Sequence, residues 1–127
     1  MFQLKTNNNT INLKWGTWAM AEYTKVNNVT IDKYFNLLAT AHTDLNIIVQ
    51  LVYIGYKSAC VSTKQEIEFT EVDACEWIDE VGSIFQAEGQ IVEYVKYVME
   101  TTMLTIQGVA KDEKKKPKKT NVGWCIS

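Results

Sequence analysis

The chain has 127 residues, 46% of them apolar and 22% charged, with a single proline and a formal net charge of −2. That is the length of one domain with enough apolar residues for a core, and the composition excludes wholesale disorder. The charge is unevenly spread: residues 111–127 hold six lysines against two acids, a local +4, so residues 1–110 carry −6.

Residues 2–5 and 11–15 alternate apolar with polar, the period of a half-buried strand. Asn7, Asn8 and Asn9 between them tolerate left-handed turn conformations, so the pair reads as a β-hairpin. The opening residues are neither basic nor followed by an apolar run and a small-residue cleavage site, so no export signal is expected. After Gly16 the spacing becomes helical, with Trp15, Trp18, Ala19, Tyr23 and Val26 sharing a broad face up to Asn27 and Asn28. Thr30 is placed as the next helix cap, with Asp32 in the first turn and a stripe of Ile31, Tyr34, Phe35, Leu38 and His42.

Thr43 and Asp44 restart the chain into residues 45–56, apolar nearly all round and therefore the expected central helix. Asn46, Gln50 and Gly55 interrupt this run, which falls short of the roughly 20 residues that span a bilayer, and a soluble protein is expected. The helix is expected to fray at Lys57 and Ser58 into a polar linker over residues 62–68. Thr70 and Asp73 resemble a capping box, and Ser83 with Gln86 fits that motif directly. Between them Ala74, Trp77, Ile78 and Val81 line one helix face, with Glu71, Asp73, Glu76 and Glu80 elsewhere. A closing helix is predicted over 84–107, with Ile91, Val95, Val98 and Thr102 on one stripe and Val92, Met99, Met103 and Ile106 beside it. Gly108 is its stop.

The predicted fold is therefore mainly α: a compact bundle of about four to five helices with an N-terminal hairpin over 1–108, and a flexible, disordered lysine-rich tail over 109–127. Cys125 is third from the end rather than fourth, so it does not make a prenylation box, and no membrane attachment is expected.

Chemistry-bearing motifs are sparse. The single histidine, His42, sits on an apolar stripe, and the sequence has no zinc-protease, nucleophile-elbow, P-loop or dinucleotide signature. Asp79 and Glu80 are helix neighbours that diverge by about 100° rather than converging on a substrate. Cys60, Cys75 and Cys125 are scattered; Cys60 and Cys75 read as small core residues in a reducing compartment. No enzyme activity, cofactor or metal is expected. Residues 65–95 hold nine acids and no lysine, a solvated face or a docking surface for a basic partner. Trp15 and Trp18, with Trp77, read as core or hairpin packing; in the functional alternative Trp15, Trp18 and Tyr23 are aromatic anchors for a partner, with Glu71, Glu76 and Glu80 as steering charges. The alternative is a small helical regulator binding nucleic acid through its lysine tail. Nucleic acid is disfavoured because those lysines lack interleaved aromatics and none of the thirteen basic residues is arginine.

The order of these segments resembles the tail assembly chaperones of long-tailed bacteriophages and prophages. The resemblance rests on "FQLKTNNNTINLKWG" running into a helix, on Tyr53-Ile54-Gly55 in the buried helix, on Phe69-Thr70-Glu71-Val72 opening the next, and on the long closing helix. It implies a non-enzymatic protein that binds the tape measure protein and helps recruit tail tube subunits during tail morphogenesis. It further implies action in the host bacterial cytoplasm, absence from the mature virion and possible self-association. Many such proteins are made in two forms by ribosomal frameshifting, and Lys114, Lys115 and Lys116 must be encoded by adenine-rich codons.

Overall fold

The computed structural model describes residues 1–108, except the side chain of His42. The expectations placed on residues 109–127 and on that side chain lie outside the described residues. Strands β1 (Phe2–Lys5) and β2 (Thr10–Leu13) form an antiparallel hairpin, followed by α1 (Thr17–Asn27), α2 (Ile31–Ala39), a 3-10 turn at Ala41–Thr43, α3 (Leu45–Thr63), α4 (Glu71–Val81) and α5 (Gln90–Gln107). The mainly helical fold with an N-terminal hairpin is as the sequence predicts.

The hairpin pairs Phe2 with Leu13 and Leu4 with Ile11, which puts all four apolar side chains on one face. That face lies on α3, and α3 is the centre of the molecule. Ten of its 19 residues are buried, including Ile47, Ile48, Leu51, Val52 and Ile54. Its mean hydropathy is 1.2, and more than half of its most apolar stretch is covered by the fold. Gly55 makes the crowding possible. A Cβ there would overlap the Tyr94 hydroxyl from α5. Instead that hydroxyl donates to the Leu51 carbonyl at 2.7 Å, while the Gly55 carbonyl accepts from the Lys14 amide at 3.0 Å.

Local signals account for several helix starts. Asp44 Oδ1 accepts from the amides of Asn46 and Ile47. At α4 the capping box is complete: the Thr70 amide donates to Asp73 Oδ2 and the Asp73 amide to Thr70 Oγ1. Thr30 holds the N-cap position of α2 in extended conformation, without a side-chain bond.

Four expectations need correction. Helix α3 does not fray at Lys57 and Ser58 but continues to Thr63. Lys57 is held by Glu22 at 2.9 Å and lies over the Tyr53 ring, and Ser58, Ala59 and Cys60 are buried. Ser83 does not cap the last helix, because its φ of 52° belongs to a turn rather than an extended cap. The chain turns through residues 83–89, and α5 starts after Gly89. The inward face of α1 is Ala19, Met20 and Tyr23, leaving Trp18 and Val26 outside. On α2 only Tyr34 and Leu38 are buried, with Ile31 and Phe35 exposed.

Substituting Gly55→Ala is expected to cost about 1–3 kcal/mol, the usual penalty for forcing an extra carbon into a filled core. Adding Tyr94→Phe removes the overlapping atom, so chemical denaturation should find the double variant less unstable than the sum of the single ones.

Candidate partner-binding surface

The aromatic residues fall into buried groups. Trp15 packs edge-on to Tyr23, and Tyr23 edge-on to Tyr34, with ring centroids 6.2 and 5.6 Å apart. Trp15 Nε1 donates to Tyr34 Oη at 3.0 Å, and that hydroxyl is shared with Thr102 Oγ1 at 2.7 Å, tying the start of α1 to α2 and α5. Trp15 is 3% exposed and Tyr23 fully buried. Neither presents a surface to a partner, and of the three aromatic anchors read from the sequence only Trp18, 39% exposed, stands outside. A second group joins Tyr56, Phe69 and Trp77, with Trp77 buried against Tyr56 at 5.3 Å.

Burial acts on the tyrosines as titrating groups. Desolvation, reinforced by Tyr34 and Asp44 nearby, pushes Tyr23 up to about 12. Tyr34 is raised by the same burial, opposed by its bonds to Thr102 and Trp15. Tyr94, wholly enclosed, is raised well above the usual tyrosine value, again by desolvation first. The Tyr23 hydroxyl is also a buried polar group with no hydrogen-bond partner among the described residues.

The steering residues read from the sequence are on the surface. Glu71, Glu76 and Glu80 are exposed on α4 beside the exposed Val72 and Cys75. Cys75 was expected in the core; α4 turns it outward because its buried face is Ala74, Trp77 and Ile78. Glu80 is also committed locally, its Oε1 accepting from the Asn7 amide at the hairpin tip. No three His, Cys, Asp or Glu side chains converge to hold a metal ion among the described residues.

Two surfaces emerge that the sequence reading did not single out. On α5, Met99, Met103, Leu104 and Ile106 are exposed, and the first three line an apolar depression with Glu100. The spacing of Met99, Met103 and Ile106 was visible, but as a second stripe beside the core stripe of Ile91, Val95, Val98 and Thr102. The signal was its width: two stripes on one helix exceed what one packed layer covers. The second surface is a groove of about 580 Å³ between β2, the C-terminal half of α3 and the 65–69 linker. Its outer wall is held in place by the Tyr56 hydroxyl, which accepts from the amides of Glu68 and Phe69.

Comparison with protein-family models, with curated proteins and with solved structures gives no match to this chain.

The orphaned hydroxyl predicts that Tyr23→Phe is neutral or stabilising by up to roughly 1 kcal/mol, whereas Tyr34→Phe strands Trp15 Nε1 and Thr102 Oγ1 and costs roughly 1–3 kcal/mol. The pH dependence has a defined sign. Tyr23 stays protonated in the folded chain up to about 12 but ionises near 10 when unfolded. Its contribution is complete below 10 and is lost as pH rises through about 12. Urea unfolding across that range should show a shallower alkaline loss in Tyr23→Phe than in the parent chain.

Proposed function

We propose that this protein is a non-enzymatic tail assembly chaperone, which binds the tape measure protein in the host bacterial cytoplasm and helps recruit tail tube subunits around it. The observation that carries the reading is the exposed apolar face of α5, with Met99, Met103, Leu104 and Ile106 grouped on the last two turns of a well-formed helix. Methionine adapts to irregular partners, which suits a surface that must grip a long helical client at many places. Trp18 supplies a second anchor of the kind that dominates interface energetics.

The acidic helix supports the same reading. Glu71 and Glu76 are exposed, and residues 65–95 carry nine acids with no lysine among them, a field that draws in basic segments and repels a phosphate backbone. That field weighs against the nucleic-acid alternative. The order of elements also fits the resemblance drawn from the sequence: hairpin, helices, buried α3, capped acidic α4 and long α5.

The test is co-expression with a tape measure protein encoded beside it. The client should remain soluble with the intact protein and precipitate with Trp18→Ala or Met103→Asp, substitutions at exposed positions compared once circular dichroism shows that each variant is folded. Reversing Glu71 and Glu76 to lysine should slow association and reduce its salt dependence, with little change in dissociation. Glu80 is left intact because it holds the hairpin tip. A client equally soluble alone, or no complex on gel filtration, refutes the assignment.

A further inference from the structure

The two edges of the hairpin differ. The Thr6 amide donates to the Asn9 carbonyl, which makes 6 and 9 a bonded pair and, by alternation, 4 with 11 and 2 with 13. The peptide groups of Gln3 and Lys5 on β1, and of Thr10 and Asn12 on β2, therefore point away from the partner strand. At Lys5 that outward edge is closed: its amide donates to Gln90 Oε1 at 2.7 Å and its carbonyl accepts from Gln90 Nε2 at 2.9 Å. At β2 it is open. The next outward amide, Lys14, reaches the Gly55 carbonyl, but those of Thr10 and Asn12 have no protein partner among the described residues. They border the groove whose floor is Tyr56, Ala59 and Cys60 and whose far wall carries Phe69, Glu66 and Glu68.

A strand edge beside an apolar floor and an acidic wall suits one kind of occupant: an extended segment with alternating apolar side chains, attached to basic residues. The chain carries one. Val122, Trp124 and Ile126 recur at every second position, directly after the lysines at 114, 115, 116, 118 and 119. We propose that the groove beside β2 takes up the chain's own C-terminal segment, residues 122–126, as a third strand. Val122, Trp124 and Ile126 then face the floor, and the lysines lie toward Glu66 and Glu68.

The connection is long enough. Helix α5 starts beside Lys5, and its 18 residues carry the chain about 27 Å away. Residues 109–121 number thirteen and extend to about 43 Å at most, enough to return past the hairpin. Charge supports the same occupant: the segment from 111 onward is +4 and the rest of the chain −6. This departs from reading residues 109–127 as one disordered tail.

Amide hydrogen exchange at Thr10 and Asn12 tests it. Three chains are compared at several concentrations: the full chain, a chain ending at Lys119 that keeps the lysines, and full-length Trp124→Ala. The expected result is exchange at least about tenfold slower at both amides in the full chain, independent of concentration and lost in both variants, while amides in buried α3 stay equally protected in all three. A synthetic peptide of residues 120–127 added to the shortened chain should restore the protection. Equal rates at Thr10 and Asn12 in all three chains would overturn the proposal. Protection that grows with protein concentration would overturn it too, by assigning the groove to the segment of a second copy. So would protection that survives in Trp124→Ala.

Discussion

The close approach of β2 and α5 to the backbone of α3 at Gly55 organises the rest of this molecule. A helix covered on most sides must let several neighbours approach its backbone, and α3 does so at one turn. There the Tyr94 hydroxyl of α5 drops onto the Leu51 carbonyl, and the end of β2 donates to the carbonyl of Gly55 itself. The hairpin and the closing helix thus meet the same point of α3 from different sides. A side chain there would separate α5 from α3, and with it the Phe2, Tyr94 and Tyr97 rings that seat β1 on α5. Absence of a side chain is what brings three layers to one place.

Elsewhere the layers are joined by tyrosine hydroxyls rather than by ions. Only two ion pairs occur among the described residues, and the exposed one, Lys96 with Glu93, contributes little. By contrast Tyr34 links α1 to α5, Tyr56 holds the 65–69 linker, Tyr94 bonds α3 and Tyr97 accepts from the Trp15 amide. A tyrosine delivers a large apolar ring to the core and a polar group at its far end, so one residue packs one layer and fixes the next. Tyr23 is the exception, with a ring in the core and a hydroxyl that has no partner among the described residues. The two rings it touches, Trp15 and Tyr34, use their own polar atoms on each other.

Features decided within a few residues were legible in the sequence, and features decided across the chain were not. The Thr70 and Asp73 box, the restart at Thr43 and Asp44, the hairpin and the Gly108 stop are local chemistry and stand where the pattern put them. Ser83 with Gln86 has the same local signature, yet Ser83 adopts a left-handed turn. Gly89 packs against the Ser83 carbonyl so closely that a side chain would collide with it. The continuation of α3 past Lys57 goes with contacts that the local pattern does not contain: Glu22 meets Lys57 from 35 positions away, and Ser58, Ala59 and Cys60 are buried. The candidate site suffered most. Helical spacing says which residues share a face but not which face a neighbour covers. Thus Trp15 took the core place that was the first of its two readings while Trp18 stayed outside, Tyr23 went inside, Cys75 went outside, and the methionine face of α5 emerged only when the packing of its other side was known.

Gln90 gives the molecule a temporal asymmetry. Its side-chain amide imitates a strand, offering one acceptor and one donor to the peptide at Lys5 across 85 positions of sequence. Synthesis makes the hairpin first and this residue much later, so for most of its emergence the chain displays β1 with its outer rim unsatisfied. An uncovered strand rim is an invitation to pair with a neighbouring nascent chain. The fold answers with a single glutamine at the first turn of its last helix, so that laying down α5 both fills the core and withdraws that invitation.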